Sequence, residues 1–426
     1  MTGRSIAPPA AACSALLLLA SCGGGGSSLP TGLIASTTTV DPVPITIPEG
    51  LFDTAPATAT GEAAETGAEP PTESTSTEST SEATTEPTTS STTSSTMSSD
   101  TSVPDSTSPD AAGTSADELP VEGPLVSGRG DLGYLHGANL PWVNWGCDFG
   151  CGDDGGASSD EVQAVAGEAF ASAKIGGMRV VRWWVFPGEP TQIEVDGSRL
   201  PFAVADDVDA DFDAALALAD EHDIDLVFTL FSHPTALPEA WLTEPLGREA
   251  LADALGGLFA RYADHPRIHT WQVFNEPEWE IWNGLAEEAD VRALVTAIAE
   301  SVHANSDALV SVGGARIDGL GMWVGTGLDY YTAHWYDPMQ EIDFCAVCTT
   351  YPELRDRYDL DAPVVIGEFY AGPDPDTVDR FRTFFDRGYA GAWAWSLLPE
   401  RTNDRLTVNI MAAADFAAEL PRPANR

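Results

Sequence analysis

Between residues 134 and 419 the sequence alternates short apolar runs with amphipathic stretches, and the alternation repeats eight times. The runs are Tyr134–Ala138, Met178–Val185, Asp225–Phe231, Ile268–Phe274, Leu309–Gly313, Tyr330–Trp335, Val364–Gly367 and Ala392–Trp395. Most read apolar throughout instead of at every second residue, the pattern of parallel strands covered by helices on both faces. Helical periodicity follows over 160–174, 206–222, 248–263, 286–304, 350–358, 375–387 and 408–419, with a weaker Gly-rich piece at 316–328. Ser159 is placed to cap the first of these and Gly176-Gly177 to stop it. Eight strand–helix rounds in roughly 300 residues fit a (β/α)8 TIM barrel, whose chemistry sits at the C-terminal ends of its strands. No G-x-G-x-x-G follows the first strand, so an open dinucleotide-binding sheet lacks its fingerprint.

The chain before residue 120 reads differently. Residues 54–119 are dominated by Ser, Thr, Pro, Glu and Ala, and Phe52 is the only aromatic residue before Tyr134. Such a tract buries too little apolar surface to offset its ordering entropy, so a disordered Ser/Thr/Pro/Glu-rich stalk is expected over 23–119. Residues 1–22 read as a leader: Arg4, the apolar run Ala15–Leu19, then Leu19-Ala20-Ser21-Cys22 ahead of four glycines. The apolar run is too short to span a bilayer. The segment resembles a bacterial lipoprotein signal, cleaved before Cys22 and lipidated on its thiol; an ordinary secretory signal is the alternative. The expected organisation is therefore leader and lipobox 1–22, stalk 23–119 and barrel domain 120–426, held at the cell surface.

The first 119 residues hold 15 of the 66 acidic residues and one of the 20 basic ones, which leaves 120–426 with a net charge of −32. That field repels nucleic acid and anionic lipid and tolerates a neutral substrate, so the expected membrane link is the lipid anchor alone. With Cys13 and Cys22 in the leader, Cys147, Cys151, Cys345 and Cys348 remain. Four thiolates could bind zinc, but export favours two disulfides. Local pairs Cys147–Cys151 and Cys345–Cys348 are expected, with crossed pairing left open.

Two of the strands deliver a glutamate at their ends. Trp271-Gln272-Val273-Phe274 runs into Asn275-Glu276-Pro277, and Pro363-Val364-Val365-Ile366-Gly367 into Glu368-Phe369. Proline cannot continue the ladder, so the first strand stops at Glu276, whose conformation is biased away from helix. A charge at the exit of a buried strand is costly unless chemistry uses it. Paired glutamates are the minimum equipment for cleaving a glycosidic bond. Other strand ends carry polar and aromatic groups: Arg182 and Trp184, then Ser232-His233-Pro234, His334-Trp335-Tyr336 and Trp393-Ala394-Trp395. Arg182 lies inside an apolar run and so requires a carboxylate partner.

Asn275-Glu276-Pro277 and Ile366-Gly367-Glu368-Phe369 resemble the large clan of retaining (β/α)8 glycoside hydrolases, and most of all the cellulase/mannanase-like family five, over about 120–400. The resemblance implies cleavage of a β-mannan or β-glucan by double displacement, with Glu276 as acid/base and Glu368 as nucleophile. It places Asn275 on the sugar 2-hydroxyl, Arg182 and the His334-x-Tyr336 pair beside the nucleophile, and Trp395 under the sugar. Strand three departs from the family spacing, and His233 is carried over as the nearest match. Arg182 and Tyr336 can donate to Glu368 and favour its charged form. Glu276, beside an amide and tryptophan, should retain its proton. Trp142, Trp145, Trp184, Trp241, Trp279, Trp282, Trp323 and Trp335 are further stacking candidates, about half of them expected to be core. The Gln192–Ala205 and Thr349–Tyr358 loops are expected to shape the cleft. No metal or organic cofactor is implied, and a monomer is expected. A non-catalytic carbohydrate-binding surface protein and a β-xylosidase-like enzyme are the rival readings.

Overall fold

The computed structural model of the protein describes residues 120–127, 132–336, 339, 344–374, 376–398 and 407–421. The expected leader with Cys22 and the expected stalk lie outside them. Eight strands form a closed parallel ring: β1 Leu135–Leu140, β2 Val180–Phe186, β3 Asp225–Phe231, β4 Ile268–Asn275, β5 Leu309–Gly314, β6 Tyr331–Trp335, β7 Val364–Tyr370 and β8 Gly391–Trp395. Each strand pairs with its sequence neighbours, and β8 closes on β1 with Leu135 opposite Gly391. The helices on the outside are α1 Asp160–Ile175, α2 Asp209–His222, α3 Glu239–Thr243, α4 Pro245–Arg261, α5 Pro277–Trp282, α6 Glu288–Asn305, α7 Tyr351–Tyr358, α8 Thr377–Asp386 and α9 Ile410–Ala417. The fold is the (β/α)8 barrel.

The apolar runs follow from this geometry. Side chains alternate along a strand, and here both faces are covered. Val181, Trp183 and Val185 on β2 join Phe170, Phe212, Leu255, Trp271 and Phe381 in the layer between sheet and helices. Val180 faces inward with Leu135, Val227, Leu309, Val365 and Trp393. Burying each such side chain contributes about 1.5–3 kcal/mol. Two residues further up, the inward positions turn polar. Thr229 on β3 donates to Gln272 on β4 at 3.0 Å, and Gln272 donates to Ser311 on β5 at 3.2 Å. The barrel is an apolar plug at one end and a hydrogen-bonded polar layer at the other.

Ser159 caps α1 as expected, accepting from Val162 N. Where a helix over 316–328 is weakest in sequence, a 3-10 segment Ile317–Trp323 stands instead. Gly319 and Gly321 within it disfavour a longer helix. An antiparallel hairpin, Ile193–Val195 with Pro201–Val204, fills the β2–α2 connection. Its loop meets the β1 loop through Gln192 Nε2, 3.4 Å from Gly146 O. The Thr349–Tyr358 segment does not line the cleft. Tyr351 N donates to Arg387 O and the Tyr389 hydroxyl to Thr349 O, so it packs near the start of β8, at the opposite end of the barrel. Its capping box, Thr350 with Glu353, fixes the start of α7 there. Both local disulfides are present, Cys147–Cys151 and Cys345–Cys348, with Cα separations of 5.2 and 5.1 Å.

Candidate active site

Arg182 is the hub of the polar end. It has no solvent exposure and uses all three nitrogens of its guanidinium. Nε donates to Gln272 Oε1 at 2.6 Å, and Nη2 to Asn275 Oδ1 at 2.7 Å. Nη1 donates both to Asn139 Oδ1 at 3.0 Å and to Glu368 Oε1 at 2.6 Å. A buried guanidinium is tolerable only when its donors are taken and its charge is matched. Glu368 supplies the charge. Its other oxygen accepts from the Tyr336 hydroxyl at 2.7 Å. The β6–β7 register, with His334 opposite Glu368, brings these groups to one level.

Glu276 stands across the mouth. The strand ends at Asn275 and Pro277 opens α5 at its first position, as proline favours. Glu276 between them is not extended but left-handed, at φ 46° and ψ 44°. For a residue with a Cβ this costs about 1–2 kcal/mol, and the bond from Glu276 N to Gly313 O at 2.5 Å helps to hold it. His334 Nδ1 lies 2.8 Å from Glu276 Oε1 and 3.5 Å from Glu368 Oε2, so the imidazole sits between the two carboxyls. One oxygen of each carboxyl and Nδ1 all fall within 4.8 Å of one another.

Burial pushes the Glu276 carboxyl up to about 7, against the opposing pull of Arg182 and the Trp279 indole N–H. The shift is in the direction expected for Glu276, although a cation is within electrostatic reach. Burial takes His334 down to about 3, so the ring is neutral. Burial, then Glu368, raises the Tyr336 hydroxyl well above its ordinary value, so it is a donor at any working pH. Glu276, His334 and Glu368 could in principle hold a small cation. Arg182 already supplies the positive charge at Glu368, which weighs against one.

Aromatic residues flank the pair on two sides. Trp142 packs on Trp145 and Trp184 with ring centres 4.6 and 5.0 Å apart, and Trp184 lies 6.2 Å from Trp395. Asp148 fixes this loop by accepting from Val143 N, Asn144 N and Trp183 Nε1. Past β4, Trp279 and Trp282 pack edge to face, and the Arg316 guanidinium lies 5.1 and 4.3 Å from their rings. Trp145 and Trp282 are exposed, whereas Trp184, Trp241, Trp323 and Trp335 are buried, so half of the eight candidates are core, as expected. His233 does not join the central network. Its Nδ1 lies 2.9 Å from Thr235 Oγ1 and 3.7 Å from Glu280 Oε1, on the outer rim.

The structure adds Asn139, Gln272, Glu278 and Arg316 to the residues singled out by sequence. Asn139 and Gln272 carry the same signal as Arg182, a polar side chain inside an apolar strand. Asn139 sits opposite Arg182 in the β1–β2 register and also donates to Gly367 O at 3.0 Å.

No family profile matches the chain. A mannan endo-1,4-beta-mannosidase of Mytilus edulis is 24% identical over 348 residues, 68% of this chain and 90% of that protein. Among solved structures, the beta-mannanase of the same mussel superposes with a TM-score of 0.53 at 20% identity, covering 70% of this chain and 95% of that one. A beta-1,4-mannanase of Aplysia kurodai gives 0.54 at 18% identity, covering 66% and 92%, and an endo-1,4-beta-mannanase of Eisenia fetida gives 0.55 at 17%, covering 67% and 90%. These likenesses show the (β/α)8 fold, and the two carboxyls at its strand ends resemble the paired carboxyls of glycoside hydrolases built on that barrel. Within that class the chain resembles family five.

Proposed function

We propose that this chain is a retaining β-mannanase that cuts within β-1,4-mannan. The observation that carries the reading is the asymmetry of its two carboxyls. Glu368 is charge-paired and held by Arg182 and Tyr336, while Glu276, buried to about 7, keeps a proton within reach. One oxygen of each carboxyl lies within 4.8 Å of the other, which supports the short spacing of a retaining site, about 5–5.5 Å, over the about 6.5–9.5 Å of an inverting one. The similarity to the mussel mannan endo-1,4-beta-mannosidase supports mannan as the substrate.

In the first step Glu368 attacks the anomeric carbon while Glu276 delivers its proton to the departing oxygen. In the second, Glu276 takes a proton from water as that water displaces the glycosyl ester. Asn275 spends its Oδ1 on Arg182, which leaves its amide N–H groups for the sugar 2-hydroxyl. Trp395 floors the ring at the cleavage point. The same reading takes the catalytic domain, 120–426, to the cell surface on its stalk, anchored through lipid on Cys22. Both disulfides suit that oxidising compartment.

Glu368→Ala should abolish turnover of every substrate. Glu276→Ala should spare aryl glycosides with acidic phenols, which need little protonation, and azide should raise their rate by forming a β-glycosyl azide. Proton NMR of the first product from a β-linked substrate should show the β-anomer; an initial α-anomer would overturn the retaining mechanism.

A further inference from the structure

Two residues beyond Glu276, the chain buries a second carboxylate for which the reaction just described has no task. Glu278 has no solvent exposure, and neither of its hydrogen-bond donors among the described residues, Ala315 N and Trp323 Nε1, is a cation. Its Oε2 accepts from Ala315 N at 2.9 Å and its Oε1 from Trp323 Nε1 at 2.6 Å. The surrounding backbone is shaped to admit it. A Cβ at Gly319 would stand 3.1 Å from Glu278 Cγ and 3.2 Å from Oε1, tight enough that one of them must give, whereas at Gly314 a Cβ would meet Thr332 O first and Glu278 Oε1 only at 3.0 Å. A buried acid without a cation is expensive, and hydrogen bonds to it recover only part of the cost.

The place of those bonds gives the cost a purpose. Glu276 N is tied to Gly313 O at the end of β5, and the Glu278 carboxylate is tied to Ala315 N two residues further on. The left-handed turn that aims Glu276 is thus clamped to β5 at two points, one on each side of Pro277. Trp323, at the end of the 3-10 segment after β5, adds a third. Without the second point, Glu276 could relax from a conformation that a residue before proline rarely adopts.

We propose that Glu278 is a positioning residue for the acid/base: its buried carboxylate locks the Glu276–Pro277 turn onto β5 and so fixes where the proton of Glu276 is delivered. The inference rests on the glycosidase reading above. A misplaced acid/base fails where proton transfer matters and succeeds where it does not, whereas a merely structural residue affects all substrates alike.

The test compares wild type with Glu278→Gln, which keeps the shape but leaves one of the two donors facing an NH2. With β-mannan, kcat should fall at least tenfold while KM changes less than twofold. On a dinitrophenyl β-glycoside that the wild type cleaves, added azide should accelerate Glu278→Gln but not the wild type, because azide needs no base. Trp323→Phe removes one donor and keeps the carboxylate, and should show the same signature more weakly; it carries the test if Glu278→Gln does not fold. Parallel losses on polymer and aryl substrates with no azide effect would overturn the inference, as would unchanged kinetics in both variants. A wild type inert on all β-linked substrates would instead overturn the glycosidase reading, and the inference with it.

Discussion

Replacing Glu276 by glutamine should stabilise the fold in alkali relative to acid. Burial lifts this carboxyl from an ordinary 4.5 to about 7 in the folded chain. Below about pH 4.5 both folded and unfolded chains hold the proton, and ionisation does not affect stability. Between 4.5 and 7 the unfolded chain releases its proton while the folded chain keeps it, so stability falls as pH rises. Above 7 the loss is complete, and at about 1.4 kcal/mol per unit it amounts to roughly 3 kcal/mol. Glutamine carries no charge at any pH and escapes this loss. Urea unfolding of wild type and Glu276→Gln at pH 4, 6 and 8 should give a stability difference that grows in the variant's favour by about 3 kcal/mol across the series. A difference that stays level with pH would refute the reasoning, because any lost hydrogen bond to His334 contributes a constant offset. The same ionisation sets the alkaline limb of activity: kcat/KM of the wild type should fall about tenfold per unit above pH 7, as the proton donor is lost.

Arg182→Met should lower stability by about 3–5 kcal/mol, since it leaves the Glu368 charge buried and unpaired, and chemical denaturation would read this directly. Arg182→Lys should restore little of the lost activity, because a point charge cannot serve Gln272, Asn139, Asn275 and Glu368 together. A protein beginning at residue 120 should keep the specific activity of the whole chain on soluble mannan; an inactive product would place the domain boundary elsewhere.

Much of this site was legible in the sequence because the barrel converts strand ends into a single ring. Once Glu276, Glu368 and His334 stand towards the C-terminal ends of parallel strands and Arg182 lies inside another, closure brings them together without further information. The strand limits were legible for the same reason: Asp225–Phe231 coincides with β3, and the others shift by one to three residues at their ends. His233 shows where that logic stops. It lies past the end of β3, where the chain turns into a short 3-10 segment, and its direction is set by Thr235 and Glu280 instead of by the strand. Thr349–Tyr358 fails similarly. Its loop leaves the top of β6, but Tyr351 and Thr349 are fastened at the foot of β8, a long-range contact that no local pattern announces.

Asn139 and Gln272 mark a different limit. Both sit inside apolar strands, and the argument that required a partner for Arg182 applies equally to them. What the sequence lacks is the register: Asn139 faces Arg182 only because β1 and β2 pair as they do, and Gln272 reaches it from two strands away. The consequence is chemical. A single arginine, satisfied from three strands, orients the carboxylate of Glu368 and the amide of Asn275 at once. In the proposed mechanism, nucleophile and 2-hydroxyl contact therefore share one anchor, whereas the backbone of Glu276 is held by its own turn on β5. The two carboxyls thus depend on different parts of the barrel. Under the proposed mechanism, disturbing the Arg182 network should slow cleavage of every substrate, whereas disturbing the Glu276 turn should slow most those substrates whose leaving group needs a proton.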